Sequence, residues 1–230
     1  MWGTDGPPTL TSRLEAAAMA IVIAVALVGV ALLPLVTHGV VRSLVTVLHS
    51  ERDTGLTVAQ TLDAADRVLD FVTDADGPAL PTVVADRAGF DAFASSHLED
   101  VRNVLIPARL VALALAVLVA AWVLVRRRTA VGRQAVSAAM SGGGALLLGL
   151  GALLVLAGAL DFDRLFTQFH DVFFDAGTWT FPSDALLIQV FPLRFWIAAG
   201  ALWAVLALAL ALGALVIGRR FGFTRGRYGV

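Results

Sequence analysis

The sequence lacks two residue types that often carry covalent chemistry. None of its 230 residues is a cysteine, so disulfide bonds, a thiol nucleophile and cysteine-ligated metals are excluded. Lysine is also absent, because all 17 positively charged residues are arginine. A lysine nucleophile is therefore excluded. The G-x-S-x-G elbow, the H-E-x-x-H zinc motif and the glycine-rich phosphate loop are missing as well.

Charged residues are scarce. Only 15% of the chain is charged and 58% is hydrophobic, whereas soluble domains have about 25% charged residues. Four apolar stretches are long enough to cross about 30 Å of hydrocarbon, and they cover residues 16–36, 104–125, 134–160 and 195–218. We therefore predict an all-α membrane protein, a single membrane domain over residues 1–230 with four transmembrane helices. The glycines of the third span predict close helix packing, and Arg109 and Arg194 are expected to reach the membrane interface.

The arginines predict the orientation of the spans. Segments rich in arginine and free of acidic residues follow the second and fourth spans. These arginines are Arg126, Arg127, Arg128 and Arg133, then Arg219, Arg220, Arg225 and Arg227. Such segments stay in the cytoplasm, so both termini are predicted to be cytoplasmic. Residues 38–103, as a small, mainly helical cap, and residues 161–192 would then be extracytoplasmic. The first span is interpreted as an anchor, since its apolar run exceeds the about 7–15 residues of a signal peptide.

Residues 162–175 have the most distinctive pattern in the sequence. At helical spacing the aromatic residues fall on one side and the polar residues on the other. The aromatic side contains Phe162, Phe166, Phe169, His170 and Phe173. This pattern predicts an amphipathic helix that lies in the membrane interface. His170 would then lie at the depth of lipid esters, as a functional group or as an ordinary interfacial histidine.

Another histidine lies just before the second span. His97 and Asp100 are i, i+3 neighbours in a helix, so the carboxylate is expected to pair with the imidazole and raise its pKa. The alternative is an ordinary pair at a solvated helix end. His38 and His49 flank a short predicted helix and are interpreted as solvated interfacial residues.

Three further local patterns concern the outward segments. Residues 56–72 carry an apolar stripe at helical spacing, which predicts a helix. Residues 80–84 fit either a short strand or an extended linker. Ser183 or Asp184 is expected to cap a short helix that runs to Phe191.

The outward histidines permit acid–base chemistry at a lipid surface. An imidazole has an ordinary pKa of about 6.5 and an α-amine one of about 7.7–8.0, so proton transfer between them is easy near neutral pH. At this depth the natural electrophile is an acyl ester. A metal site built from His97 and His170 with Asp100 or Asp171 is weakly supported, because no i, i+4 ligand pair is present.

These residues also carry a resemblance to a known family. The four-span layout, the motif His97-x-x-Asp100-Val101-Arg102 before span two, and Phe169-His170 with Trp179, Phe181-Pro182 and Asp184 before span four resemble the lipoprotein intramolecular transacylase family. The resemblance covers nearly the whole chain. It implies an acyltransferase that moves the sn-2 acyl chain of a lipoprotein's diacylglyceryl group to the α-amine of the same cysteine.

The resemblance also implies the site. His97 and His170 would be the catalytic pair. Our hypothesis makes His170 the base, while His97, steadied by Asp100, polarises the carbonyl or protonates the leaving oxygen; the roles remain exchangeable. Expected substrate contacts are Phe169, Phe173, Trp179, Arg102 and Asp171. Neither a metal nor another cofactor is expected.

The chain departs from the family pattern at two places. Arg102 stands where the family has lysine, and Ala64-Ala65 stand where it has an Asn-Tyr pair.

Two alternative functions stay open: a phospholipid acyl hydrolase or transferase that uses the same histidines, and a non-catalytic membrane protein that binds a partner through its acidic outward domain. The expected partner is a membrane lipid or a diacylated lipoprotein, not nucleic acid. The sequence leaves the oligomeric state open.

Overall fold

The computed structural model of the chain describes residues 10–223, and these are almost entirely helical. Arg225 and Arg227 of the predicted cytoplasmic cluster lie outside the described residues. The helices are α1 (Leu10–Leu32, extended by a 3-10 turn over Leu33–Val36), α2 (His38–Val47), α3 (Glu51–Thr54), α4 (Val58–Thr73), α5 (Ala92–Arg126), α6 (Ala130–Leu160), α7 (Phe162–Phe173), α8 (Leu186–Val190) and α9 (Leu193–Phe223). Between α4 and α5 lie β1 (Val83–Val84) and β2 (Arg87–Ala88).

Four helices, α1, α5, α6 and α9, are long and apolar enough to cross a membrane. This confirms the predicted all-α membrane fold with four spans. Helix α5 has 35 residues and is therefore about 52 Å long, which exceeds the roughly 30 Å of hydrocarbon. Its apolar stretch, residues 104–125, is the part suited to the membrane. The polar first three turns, residues 92–103, extend beyond that stretch.

The described residues form two compact units, and the first comprises residues 10–31, 110–154 and 204–223. Its helices approach closely at glycines of α6. A Cβ atom on Gly143 would lie 2.7 Å from the carbonyl oxygen of Ala20, and one on Gly144 would lie 2.6 Å from that of Ala211. Only a residue without a side chain fits at such distances. The third span is therefore closely packed against α1 and α9, as its glycines predicted.

The second unit comprises residues 32–109 and 155–203 and has a hydrophobic core of its own. The core draws on α2, α4, the start of α5, α8 and the start of α9, with Val45, Ala64, Ala65, Val68, Phe90, Leu98, Val190 and Phe195 among its members. The predicted helix over residues 56–72 is α4. A capping box between Thr57 and Gln60 sets its first residue, because each side chain binds the other's backbone N–H.

Residues 80–84, for which the sequence allowed either a strand or an extended linker, contribute the first strand of a two-stranded hairpin. Val83 pairs with Ala88 and Val84 with Arg87 in antiparallel register. The guanidinium of Arg87 then donates to the carbonyl oxygen of Thr54 and, at 2.8 Å, to the side chain of Gln189. The hairpin thus links α3 to α8.

The ends of two helices differ from the predictions. Helix α8 starts after Ala185 and has no side-chain cap, so the predicted cap by Ser183 or Asp184 is wrong. The backbone N–H of Ala185 instead donates to the carbonyl oxygen of Pro182 at 3.0 Å, a turn that delays the start of the helix. Helix α7 ends at Phe173, two residues earlier than the pattern suggested.

Arg194 and Arg109 contact protein, although the sequence suggested contact with the membrane interface. Arg194 forms an ion pair with Asp53 and donates to the carbonyl oxygen of Leu48 at 3.0 Å. Arg109 donates to the carbonyl oxygen of Thr73, at the end of α4, at 3.1 Å. Both guanidinium groups therefore join helices within the second unit.

His38 is not merely a solvated residue, because it joins α2 to α4. Its Nδ1 lies 2.9 Å from a carboxylate oxygen of Asp66 and its Nε2 lies 3.0 Å from one of Asp70. Arg42 also binds Asp66, at 2.8 Å. The hydrogen bond to Asp66 raises the pKa of His38 above its ordinary value of 6.5, and the negative charges of Asp70 and Asp66 add to this effect.

The His38 contacts predict a pH-dependent stabilisation of α2 on α4. Because the pKa is raised in the folded protein, this stabilisation is complete below pH 6.5 and is lost as pH rises through the folded pKa. Its size should stay below about 1 kcal/mol, since His38 is about half exposed. Asp66→Asn should lower the pKa of His38 in an NMR titration of its ring proton.

The matched control for this titration is Asp63→Asn. Asp63 belongs to the same helix but pairs with Arg67, so its neutralisation should leave the pKa of His38 unchanged. An unchanged pKa of His38 in Asp66→Asn would contradict the assignment.

Candidate active site

His97 and His170 lie close to each other in the second unit. His97 is on the second turn of α5 and His170 is on the last turn of α7. Their rings are stacked, with centroids 6.3 Å apart and planes inclined by 27°. The two histidines that the sequence singled out are therefore neighbours, although they come from separate segments.

Aromatic rings and one hydrogen bond orient His170. The rings of Phe166, Trp179 and Phe169 lie 4.1, 4.7 and 5.4 Å from it, centroid to centroid. Its Nδ1 lies 2.8 Å from the carbonyl oxygen of Phe166. A carbonyl oxygen only accepts hydrogen bonds, so Nδ1 carries the proton and donates it. In the neutral ring the lone pair is then on Nε2, which is the atom able to take up a proton.

His97 is buried, with 8% of its surface exposed. The ring of Phe174 meets it edge-on at 5.1 Å, and that of Phe181 lies at 5.5 Å. Its Nδ1 is buried and has no hydrogen-bond partner within residues 10–223. The predicted pairing with Asp100 is wrong, because Nδ1 of His97 has no partner among the described residues, the rings of Phe174 and Phe181 contact the imidazole, and Asp100 lines a neighbouring groove.

Burial favours the neutral form of both imidazoles. It lowers the pKa of His97 from 6.5 to about 4, helped by repulsion from a charged His170 and opposed by the carboxylate of Asp100. Burial also lowers the pKa of His170, although the Phe166 carbonyl and the Asp171 carboxylate act in the opposite direction. The raised pKa predicted for His97 is therefore wrong, since desolvation outweighs the carboxylate.

An open groove of about 210 Å³ adjoins the histidine pair. It is lined by Asp100, Asn103, Val104, Phe173, Phe174 and Asp175. The ring of Phe174 lines the groove and also contacts both imidazoles, at 5.1 and 5.6 Å. Polar residues thus lie beside aromatic residues along the groove, an arrangement that suits a ligand with a cationic or hydrogen-bonding group attached to an apolar chain.

The other predicted contact residues have different surroundings. Phe169 and Phe173 are about half exposed on α7, and Asp171 is exposed as well. Arg102 lies outside the ring cluster. Its guanidinium is 3.9 Å from the centre of the Phe71 ring and donates to the carbonyl oxygen of Phe71 at 2.6 Å. Arg102 therefore joins α5 to α4, because the cation and the aromatic face attract each other.

Phe174 is the main site residue that sequence analysis missed. It follows the last residue of α7 and adopts an extended backbone, with φ −134° and ψ 150°. A helical pattern assigns the wrong direction to a residue that has left the helix. Asn103 and Asp175 were not singled out either, because only the fold brings them to one groove. Ala64 and Ala65, which stand where the family has an Asn-Tyr pair, are fully buried in the core and supply no polar side chain.

Within residues 10–223 there is no group of three or more histidine and acidic residues that could hold a metal ion. The site is a pair of neutral imidazoles in an aromatic shell beside a partly acidic groove. Such a site can move protons and can bind an amphipathic ligand.

Fold and site together define a multi-pass, mainly helical membrane protein with a paired-histidine centre. The family model of lipoprotein intramolecular transacylase Lit matches residues 16–196, so the chain belongs to this family. The family name describes a membrane acyltransferase, and this chain is one.

Solved structures show the same fold. The lipoprotein intramolecular transacylase Lit from Bacillus cereus is 17% identical and has a TM-score of 0.77, over 94% of this chain and 97% of that one. Two further structures of the same protein, with one histidine replaced by arginine or by alanine, each give a TM-score of 0.71 at 17% identity over 94% of this chain. They are covered over 93% and 95% of their own lengths. No curated protein matches the chain in sequence.

The lowered pKa of His97 predicts that acid weakens the fold. The unfolded chain protonates this imidazole near pH 6.5, whereas the folded protein does so near pH 4. The stability present above pH 6.5 is thus lost between these two values, by up to about 3 kcal/mol. In mixed micelles, the free energy of unfolding should therefore fall more steeply with decreasing pH for the wild type than for His97→Gln. Parallel pH curves for the two proteins would contradict the burial of a neutral imidazole.

Proposed function

We propose that the chain moves the sn-2 acyl chain of a lipoprotein's diacylglyceryl group to the α-amine of the same N-terminal cysteine. The observation that carries this proposal is the stacked pair of His97 and His170, in which Nδ1 of His170 donates to a carbonyl oxygen and Nε2 is left to accept a proton. The family to which the chain belongs supports the acyl transfer itself.

In the proposed reaction His170 is the general base. The amine nitrogen attacks the ester carbon while Nε2 of His170 takes up the proton that the amine loses. The carbon–oxygen bond to the glycerol then breaks, and the proton held on His170 passes to the glycerol oxygen, so His170 returns to its neutral form. We assign to His97 either the relay of this proton to the oxygen or the polarisation of the carbonyl. The amine and the ester become an amide and a free hydroxyl, so atoms and protons balance.

The acidity of the groups fits this assignment. A free α-amine has a pKa of about 7.7–8.0, so part of it is unprotonated at neutral pH. The pKa of His170 lies below its ordinary value, and the imidazole is therefore a base rather than an acid at pH 7. Both reacting groups belong to one molecule, so the protein has only to bring its two ends together.

The groove beside the pair suits the headgroup of such a substrate. Asp100 and Asp175 offer negative charge for the amine, and Phe173 and Phe174 offer apolar rings for the first carbons of the chain. We assign further contacts with the substrate to Phe169, Trp179 and Asp171, which surround His170 on α7 and the loop after it. Arg102 is assigned to the packing of α5 on α4, because it lies on Phe71.

We place the reaction at the outer leaflet. This side of the membrane follows from the arginine clusters after spans two and four, which leave residues 38–103 and 161–192, and with them both histidines, extracytoplasmic. Both chain termini are then cytoplasmic.

His170→Ala should lower the rate of formation of the lyso product by about 10²–10⁴, the usual contribution of a general base. The assay incubates the purified protein with a diacylated lipopeptide and follows the product by mass spectrometry. His49→Asn is the matched control. It removes an exposed histidine of the same unit, and asparagine tolerates the positive φ of 54° at this position. This variant should keep full activity.

Full activity of His170→Ala would refute the assigned base. A parallel incubation with plain phospholipid separates the substrates. Acyl transfer from phospholipid, with the lipopeptide unchanged, would support the phospholipid enzyme in place of the lipoprotein enzyme.

A further inference from the structure

The loop after α7 places a tryptophan against the catalytic pair. Gly177 adopts a positive φ of 86°, which glycine accepts without strain. The turn is closed by Thr178, whose N–H and hydroxyl both donate to the carbonyl oxygen of Asp175, at 3.1 and 2.8 Å. The next residue, Trp179, packs on His170 with ring centroids 4.7 Å apart. The position of the indole is therefore set by a closed turn and by ring packing.

The indole N–H of Trp179 is buried and has no hydrogen-bond partner in the described part of the chain. Two other tryptophans satisfy theirs: Trp122 donates to Glu15 at 2.8 Å, and Trp196 donates to the carbonyl oxygen of Phe191 at 3.0 Å. Buried donors without a partner are uncommon, since each costs free energy. An indole can only donate, so the missing partner must be an acceptor.

The proposed reaction creates one strong acceptor beside His170. When the amine nitrogen attacks the ester carbon, an electron pair of the carbonyl moves to the oxygen, which becomes negatively charged. That charge returns to the carbonyl as the glycerol oxygen leaves. A donor fixed before the reaction and shielded from water stabilises such an oxygen more than it stabilises the ground-state ester. The described site holds no cationic side chain among the rings around His170, which leaves this task to a neutral donor.

We propose that Trp179 donates its indole N–H to the carbonyl oxygen of the acyl ester and stabilises the negative charge that forms there during transfer. This inference rests on the proposed function. It adds a residue that acts on the carbonyl oxygen and leaves proton transfer to the histidines. The indole keeps its own proton throughout.

The test is Trp179→Phe in the full chain, assayed with the diacylated lipopeptide. Phenylalanine keeps an aromatic ring beside His170 and removes the donor. The kcat should fall by about 10², while KM should stay nearly unchanged, because the lost contact is strongest in the transition state. The matched control is Trp196→Phe, which removes a satisfied indole hydrogen bond elsewhere in the same unit. The control should lower the melting temperature and keep kcat.

An unchanged kcat in Trp179→Phe, or a rise in KM alone, would overturn the inference and leave the proposed function intact. A wild-type protein that forms no lyso product would instead refute the proposed function itself. The two failures are therefore distinguishable.

A second measurement does not depend on the folding of the variant. An N-acetylated diacylated lipopeptide keeps its esters but cannot accept the acyl chain. In wild-type protein labelled with ¹⁵N-tryptophan, saturation with this compound should move the indole N–H resonance of Trp179 downfield, as expected for a new hydrogen bond, and should leave that of Trp196 in place. A Trp179 resonance that stays unmoved at saturation would overturn the inference.

Discussion

Burial and mutual repulsion disfavour a positive charge on the stacked imidazoles of His97 and His170. A charge on either ring would be desolvated by the surrounding aromatic side chains and repelled by a charge on the other. Burial lowers the pKa of both groups, and for His97 it also outweighs the carboxylate of Asp100. The packing of aromatic side chains therefore favours the neutral form of both imidazoles. It also makes the pair suited to proton transfer at neutral pH, because a charged imidazole has no lone pair to offer.

The rest of the second unit holds this pair in place. Leu98, next to His97, is buried in the core, so the first turns of α5 are fixed by hydrophobic packing. Arg102 and Arg109 on the same helix bind backbone carbonyls at the end of α4. Helix α7 starts with Asp161 as its N-cap and ends where Phe174 turns into the site. Arg102 and Arg109 thus help to hold α5, which carries His97, against α4.

Composition and periodicity predicted the fold well, because hydrophobicity over some twenty residues is a strong physical signal. The four spans, α4 and the amphipathic α7 all followed from it. The two histidines were found for the same reason, since each lies at a recognisable place beside a span. Side-chain geometry was not predictable in this way. Phe174 lies beyond a helix end, where the helical period no longer applies. The Asp100–His97 pair failed because spacing alone cannot show that aromatic rings desolvate the imidazole. The contact of Arg102 with Phe71 was not predicted, because Phe71 lies on another helix.

The central claim is that both imidazoles are neutral and that His170 carries its proton on Nδ1. Long-range ¹⁵N–¹H NMR tests it directly, because protonation state and tautomer change the ring nitrogen shifts and the chain has only four histidines to assign. At pH 7 the account predicts neutral patterns for His97 and His170, with the Nδ1–H tautomer for His170. A cationic pattern for either residue, or the Nε2–H tautomer for His170, would contradict it.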